Sequence, residues 1–131
     1  MKDDIKILLI DDEPSVTRDL ANVLRNSGYS QIRECEGSKT TIKLIQEYQP
    51  NVLFIDMQMP EISGFQLYKQ IREEYYWRNI IVIGMSSDTD YERSWILLGA
   101  NAFFNKKNLS SETKILDVRL EEILEKYQTG Q

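Results

Sequence analysis

Three short apolar segments constrain the fold of this chain more than any other feature of its sequence. They run from Ile5 to Ile10, from Val52 to Ile55 and from Ile80 to Met85, and each is followed by a polar residue. Apolar segments without strict alternation are typical of strands that are covered on both faces, as in a parallel sheet. Two weaker strand candidates are Gln31–Cys35, which alternates, and Ala102–Asn105. The sequence therefore predicts five strands.

Helical patterns separate the predicted strands and follow the last one. In each pattern, apolar residues recur at the spacing that places them on one face of a helix. A strand followed by a helix, repeated five times, predicts right-handed crossovers onto one parallel sheet with helices on both faces. The length of 131 residues fits a single domain that spans residues 1–131. The predicted helices cover Pro14–Asn26, the region of Leu44–Tyr48, Phe65–Ile71, Tyr91–Leu98 and roughly Ser111–Gln128.

The composition argues against several classes of function. The 16 Lys and Arg residues against 21 Asp and Glu residues give a net charge of −5, a poor electrostatic match for nucleic acid or for an anionic membrane. The sequence has no histidine, the usual agent of zinc-dependent and acid–base catalysis. The single cysteine, Cys35, suits a reducing compartment. No apolar segment approaches the length that spans a membrane, and the N-terminal residues do not resemble a signal peptide. We therefore expect a cytoplasmic domain whose partner is a protein or a small molecule.

Charged and hydroxyl side chains collect where the predicted strands end. In open α/β sheets, ligands bind beyond the carboxyl ends of the strands. Taken alone, each of these residues has an ordinary structural alternative, such as a helix cap, a solvated strand end or a solvated loop. Their convergence on one edge of the sheet favours a functional site. They are Asp11, Asp12 and Glu13 after the first strand, Asp56 after the third, Ser86 and Ser87 after the fourth, and Lys106 and Lys107 after the fifth.

Several aspartates close together repel one another unless a cation lies among them. Two unit charges about 4 Å apart repel by about 4 kcal/mol at an effective dielectric constant of about 20. A hard divalent cation removes that cost, and oxygen ligands without histidine or thiolate favour Mg²⁺, with Mn²⁺ as the alternative. A lysine and a hydroxyl beside such an ion complete a site for a phosphoryl group.

The segments that carry these residues resemble the receiver domain of two-component response regulators, over almost the whole chain. The resemblance implies a flavodoxin-like (βα)5 fold, with a five-stranded parallel sheet in the order 2-1-3-4-5, like that of single-domain chemotaxis regulators. The acceptor pattern D-x-x-M-P-x-x-x-G is matched at Asp56, Met59, Pro60 and Gly64. The other matching segments are LLIDDEP (Leu8 to Pro14), FIDMQMPEISGF (Phe54 to Phe65), the hydroxyl after IIVIGM, and GANAFFNK (Gly99 to Lys106).

The resemblance implies that Asp56 is the phosphoacceptor and that the acidic residues bind Mg²⁺. Asp12 and Asp56 would contact the ion directly, Asp11 would contact it through water, and the backbone carbonyl of Gln58 would supply a further ligand. The chemistry would be nucleophilic attack by a carboxylate, with a metal ion and an ammonium group offsetting the developing charge.

The resemblance also assigns roles at the fourth and fifth strands. Lys106 would pair with one phosphoryl oxygen, Ser86 would donate a hydrogen bond to another, and Phe103 matches the aromatic position that changes rotamer on phosphorylation. The family usually has a cis proline after the lysine. Lys107 stands there in this chain, where a cis bond would cost about 2.5–4 kcal/mol and is therefore doubtful. The segment after the fourth strand is shorter than usual, so Gly84 is an alternative occupant of the hydroxyl position.

A receiver would take its phosphoryl group from a histidine kinase or a phosphotransfer protein. By resemblance, its output would be a changed contact with a downstream protein or with a second copy of the chain, through the face formed by the fourth helix, the fifth strand and the fifth helix. Trp95, Ile96, Leu97 and Leu98 follow one another in the fourth helix. Since four consecutive residues cover all sides of a helix, at least one of them should be exposed, and Phe104 would extend that patch.

Two other functions compete with this interpretation. One is a pseudo-receiver that acts as a protein-interaction module without phosphorylation. The other is a Mg²⁺-dependent phosphohydrolase, a class that carries D-x-D after the nucleophile's strand; Gln58 stands at the second acidic position and cannot serve as the acid. We expect no enzyme with an external substrate, but a domain that catalyses only its own phosphorylation and dephosphorylation at Asp56.

Overall fold

The computed structural model describes residues 2–74, 79–109 and 113–128, with the side chains of all of these except residues 108, 113–118 and 128. The strands are β1 (Lys6–Ile10), β2 (Gln31–Cys35), β3 (Val52–Asp56), β4 (Ile81–Ser86) and β5 (Ala102–Asn105). The helices are α1 (Pro14–Asn26), α2 (Thr41–Tyr48), α3 (Gly64–Glu73), α4 (Asp90–Leu98) and α5 (Thr113–Gln128). Short 3-10 turns at Lys2–Asp4 and Lys106–Asn108 precede β1 and follow β5.

All five strands run parallel in one sheet, in the order β2-β1-β3-β4-β5. This confirms the predicted doubly wound α/β fold. The register aligns Ile10 with Ile55, Ile55 with Gly84, and Ser86 with Asn105. The carboxyl ends of β1, β3, β4 and β5 therefore meet at one edge of the sheet.

Local sequence signals explain where the helices begin and end. Pro14 occupies the first turn of α1, where its missing N–H is not needed. Ser63 and Gln66 form a reciprocal capping box at the start of α3. Gly99 ends α4 with a left-handed φ of 104°, a conformation that glycine adopts without steric cost. The predicted start of the last helix, Ser111, lies outside the described residues.

The sheet buries an apolar cluster on each of its faces. One cluster joins the sheet to α2, α3 and α4 and includes Leu53, Tyr68 and Trp95. The other joins it to α1 and α5 and includes Phe54 and Leu120. Strands covered on both faces account for the continuous apolar segments of the sequence. None of the helices in the described part of the chain is both long enough and apolar enough to cross a membrane.

The four consecutive apolar residues of α4 divide between core and solvent, as predicted. Trp95 is fully buried, whereas Ile96, Leu97 and Leu98 are 48%, 75% and 47% exposed. Phe104 does not extend this patch, because its side chain packs against the cluster under α1 and α5. That part of the prediction was wrong, since alternate residues of a strand point to opposite faces of the sheet.

Trp95 is buried in a notch that glycine provides. A Cβ atom at Gly84 would lie 2.2 Å from Cδ2 of the indole, and one at Gly64 would lie 2.9 Å from Cζ2. The rings of Phe65 and Tyr68 meet the indole edge-on, with centroids 5.2 and 5.9 Å away. A large side chain on α4 thus fits only because two glycines leave room for it, which fixes α4 closely against β4 and α3.

Candidate functional site

Three aspartates form an acidic cluster at the carboxyl edge of the sheet. Asp11 and Asp12 directly follow β1, and Asp56 is the last residue of β3. One carboxylate oxygen from each lies within 4.8 Å of the others. Asp11 and Asp56 are only 1% and 3% exposed, whereas Asp12 is accessible to solvent. The structure therefore brings the three predicted carboxylates together.

Lys106 enters this cluster from the end of β5. Its Nζ atom lies 2.9 Å from Oδ2 of Asp11 and 3.0 Å from Oδ1 of Asp56. A third carboxylate, that of Glu13, lies 3.4 Å away at the exposed side. The lysine side chain is only 7% exposed. The ammonium group thus bridges the two buried aspartates and offsets their repulsion.

The peptide bond after Lys106 is trans, because the described residues contain no cis peptide bond. The chain turns instead through the 3-10 turn that starts at Lys106, where the side chain of Asn105 accepts a hydrogen bond from the backbone N–H of Lys107. The cis bond that the family usually has at this position is therefore absent, and Lys106 reaches the aspartates with a trans bond after it.

Burial and the neighbouring charges shift the protonation of these groups. Burial raises the pKa of Asp56 from its ordinary value of 3.8 to about 6; the charge of Asp11 adds to the rise, and Lys106 opposes it. Burial also raises the pKa of Asp11. Burial would lower the pKa of Lys106, but hydrogen bonds to Asp11 and Asp56 outweigh that effect and raise it. Lys106 therefore stays positively charged, and Asp56 holds a proton more readily than an exposed aspartate does.

The start of α1 places Asp11 and Asp12. The Oδ1 atom of Asp11 accepts a hydrogen bond from the backbone N–H of Glu13 at 2.9 Å. Glu13 is the N-cap residue, but its side chain makes no capping hydrogen bond. The ordinary alternative thus holds only for the position of Glu13, which is the N-cap residue before Pro14 without a side-chain capping bond; Asp12 is not the cap. Asp12 is left free to face the cluster.

Ser86 supplies the buried hydroxyl at the end of β4. It is 3% exposed, and its Oγ atom accepts a hydrogen bond from the backbone N–H of Asp88 at 2.9 Å. The N-cap of α4 is Thr89, so the alternative in which Ser86 caps that helix is wrong. Gly84, the other candidate for the hydroxyl position, instead lies beneath the indole of Trp95.

Phe103 and Gln58 are the remaining residues to which the resemblance assigns a role. Phe103 is aligned with Gly84 and is 8% exposed, within the cluster that contains Trp95. Gln58 is exposed in the turn after β3. That turn is held by the neighbouring Met57, whose N–H donates to the carbonyl of Met85 at 3.0 Å and whose carbonyl accepts from the N–H of Gly64 at 2.9 Å.

Tyr91 is a residue of the site that the sequence does not indicate. The sequence pattern places it only at the start of the fourth helix, yet its hydroxyl accepts a hydrogen bond from the side chain of Gln58 at 3.3 Å. The two side chains line a cleft of about 600 Å³ together with Asp12. The short segment between Ser86 and the fourth helix is the one sequence signal that α4, and Tyr91 with it, lies close to the turn after β3.

Fold and site together define a flavodoxin-like domain with an acidic cluster and a lysine at the carboxyl edge of its parallel sheet. The sequence pattern of the response regulator receiver domain matches residues 7–123. The chain therefore belongs to the response regulator receiver domain family.

Individual relatives agree with this assignment. Transcriptional regulatory protein YdfI of Bacillus subtilis (strain 168) is 33% identical over 109 residues, which cover 82% of this chain and 50% of YdfI. The crystal structure of the signal receiver domain of a DNA-binding response regulator (merR) from Colwellia psychrerythraea 34H has a TM-score of 0.80 at 25% identity, covering 92% of this chain and 98% of that one. The Mn²⁺-bound form of response regulator Rcp1 shares the fold, with a TM-score of 0.73 at 21% identity over 95% of this chain and 94% of Rcp1. The chain spans about half the length of the curated relatives it matches.

Proposed function

We propose that this receiver domain accepts a phosphoryl group on Asp56 from a histidine kinase or a phosphotransfer protein in the cytoplasm. The observation that carries the proposal is the ammonium group of Lys106, held 3.0 Å from Oδ1 of Asp56. An aspartyl nucleophile for phosphoryl transfer requires this arrangement. The carboxylate is buried at a strand end, a buried lysine pairs with it, and further carboxylates flank it.

The chain's own residues have distinct roles in this reaction. An oxygen of Asp56 forms a bond to phosphorus while the bond between phosphorus and the donor nitrogen of a phosphohistidine breaks. Lys106 pairs with a phosphoryl oxygen and offsets the charge that the group brings into the site. The hydroxyl of Ser86 donates a hydrogen bond to another phosphoryl oxygen. Phe103 is aligned with Gly84, two residues before Ser86. Its side chain changes rotamer when Ser86 engages the phosphoryl group, and this change alters the packing of α4.

The residues present fit a divalent cation. Asp11, Asp12 and Asp56 offer oxygen ligands within 4.8 Å of one another, and the backbone carbonyl of Gln58 would add a neutral one. Mg²⁺ prefers such ligands and usually keeps several waters, with Mn²⁺ as a substitute. The bound ion would neutralise phosphoryl charge during transfer.

The output is a change in protein contacts at the α4–β5–α5 face. Support comes from the exposed apolar residues of α4, because exposed patches of this kind commonly mark interaction sites. Leu97 and Leu98 also line a groove of about 780 Å³ between α4 and α3, with Phe65 and Tyr68 on the α3 side, so the exposed apolar surface of α4 extends beyond this face. The partner is a downstream protein or a second copy of the chain, and its contact includes the exposed residues of α4.

Labelling with a small phosphodonor tests the proposal. Acetyl phosphate with Mg²⁺ should add one phosphate that is stable in acid and labile to hydroxylamine, as an acyl phosphate is. Asp56→Asn should abolish the label, whereas Asp88→Asn, a change of an exposed aspartate in the β4–α4 connection, should retain it. Label that persists in the Asp56→Asn protein would show that the nucleophile is another residue. A wild-type protein that takes no label from a competent donor would favour the interaction module that works without phosphorylation.

A further inference from the structure

The groove between α3 and α4 joins an apolar floor to exposed leucines. Phe65 and Tyr68 line it on the α3 side, and Leu97 and Leu98 line it on the α4 side. The two leucines are 75% and 47% exposed. Ile96 is exposed to the same extent as Leu98, at 48%, but does not line the groove. An apolar surface of this kind, left open to solvent, commonly marks a protein interface.

The floor of the groove is fixed before any partner binds. The buried indole of Trp95 meets the rings of Phe65 and Tyr68 edge-on, at centroid distances of 5.2 and 5.9 Å. Arg72 also lines the groove. Its Nε atom donates a hydrogen bond to the Tyr68 hydroxyl at 3.1 Å, and its Nη1 atom donates to the carbonyl of Ile80 at 2.8 Å. A partner therefore meets a preformed surface and does not have to order it.

Two opposite charges stand on the ridge of α3 that borders the groove. Lys69 and Glu73 both line it, and both also line a cleft on the other side of α3. Their side chains are exposed, one helical turn apart. Neither forms an ion pair with any residue in the described part of the chain. Both charges are therefore available to a partner.

We propose that a second copy of this chain covers the groove, with the α3–α4 surfaces of the two copies facing each other across a two-fold axis. A two-fold axis reverses the order of the two charges, so Lys69 of each copy meets Glu73 of the other. Leu97 and Leu98 of each copy then cover the apolar floor of the other copy. This inference rests on the proposed function, because it names the partner of the exposed α4 residues; the contact includes α3, which the α4–β5–α5 face does not.

Sedimentation velocity with beryllofluoride and Mg²⁺ tests which side of α4 is covered. Leu98→Glu, in the groove, should weaken self-association at least about tenfold, because it brings a charge into a desolvated apolar contact. Ile96→Glu is the matched control, since it makes the same change at an equally exposed position of the same helix outside the groove. It should leave self-association unchanged. An Ile96→Glu protein that is weakened as much as Leu98→Glu would overturn the proposal.

Exchange of the two charges tests the two-fold axis itself. Lys69→Glu and Glu73→Lys should each weaken self-association about tenfold at low ionic strength, because like charges then meet at both contacts. The two variants mixed together should associate with each other, since every charge of one meets its opposite on the other, and the double variant should associate like the wild type. Lys43→Glu, the same change at an exposed position of α2, should have no effect. A mixture that associates no better than either variant alone would overturn the proposed pairing.

Failure of this inference and failure of the proposed function give different results. A wild type that takes the phosphate label but stays monomeric overturns the inference alone and leaves the groove to a different protein. A protein whose self-association responds to the groove variants as expected, but which takes no label from acetyl phosphate, overturns the proposed function alone. If Leu98→Glu lowers the melting temperature, the charge variants, which change exposed side chains, carry the same test.

Discussion

The carboxylate of Asp56 is buried, although it must be ionised to act as a nucleophile. Its side chain is 5% exposed, and Lys106 is the cation in contact with it. Burial of a carboxylate costs free energy that one shared ammonium group offsets only in part, because Lys106 also serves Asp11. The buried carboxylates therefore leave negative charge that a further positive charge at this site would offset.

Asp56→Asn should stabilise the protein in the absence of divalent cations. The folded-state pKa of Asp56, about 6, lies above its ordinary value of 3.8. The folded protein therefore binds this proton more tightly than the unfolded chain does, and the wild type loses stability as pH rises through that interval. Asparagine carries no charge, so the gain should be about 1–3 kcal/mol above pH 7 and should shrink as pH falls below 6.

Urea unfolding across this pH range, with a chelator present, measures that gain. Asp19→Asn on α1 changes an exposed carboxylate outside the cluster and should show no such pH-dependent gain. An Asp56→Asn protein that is no more stable than the wild type at neutral pH would contradict the assigned cost of burying this carboxylate.

Lys106→Ala should destabilise the fold because it leaves Asp11 and Asp56 buried without their cation. Removal of one partner from a buried ion pair should cost about 3 kcal/mol at neutral pH. Added Mg²⁺ should recover part of this loss. Lys107→Ala, at the exposed neighbouring position, should change the free energy of unfolding by less than about 0.5 kcal/mol. Equal losses in the two variants would show that the ion pairs to Lys106 do not support the fold.

The helices and strands were largely predictable because each follows from local periodicity and a local stop signal. Continuous apolar segments placed the strands, and Gly99 marked the end of α4. The edge of the sheet where Asp11, Asp56 and Lys106 meet followed from the rule for parallel sheets. The short segment before α4 does not suffice to predict the contact between Gln58 and Tyr91, because that contact depends on how closely α4 approaches β3. The packing of Trp95 against Gly84 sets the distance between α4 and the sheet, and no sequence pattern indicates that Gly84 leaves room for the indole.

Leu97→Glu tests whether α4 presents an interaction surface. Because Leu97 is 75% exposed, the substitution should change stability by less than about 0.5 kcal/mol. Sedimentation velocity with beryllofluoride and Mg²⁺ should show weaker self-association than in the wild type, whereas Arg18→Glu on α1 should have no effect. A wild type that stays monomeric would exclude a homodimer and leave a different protein as the partner. Unfolding by Leu97→Glu would instead assign this side chain to the core.

The domain as a whole should gain stability from Mg²⁺, because binding to the folded state relieves repulsion among carboxylates drawn from two strands. At a tenfold excess over the dissociation constant, the gain should be about 1.4 kcal/mol. Asp12→Asn should weaken this response while raising the metal-free stability. The melting temperature across a Mg²⁺ titration measures both effects, and a melting temperature that does not change would contradict the proposed ion site.

The identity of the phosphorylated residue tests the central claim most directly. Protein treated with acetyl phosphate and Mg²⁺ is reduced with borohydride, which converts an aspartyl phosphate to homoserine, and the peptides are then sequenced by mass spectrometry. We expect homoserine at position 56 and at no other aspartate, and none when Mg²⁺ is chelated. Homoserine at another position, or phosphorylated protein that yields no homoserine at position 56, would contradict the account.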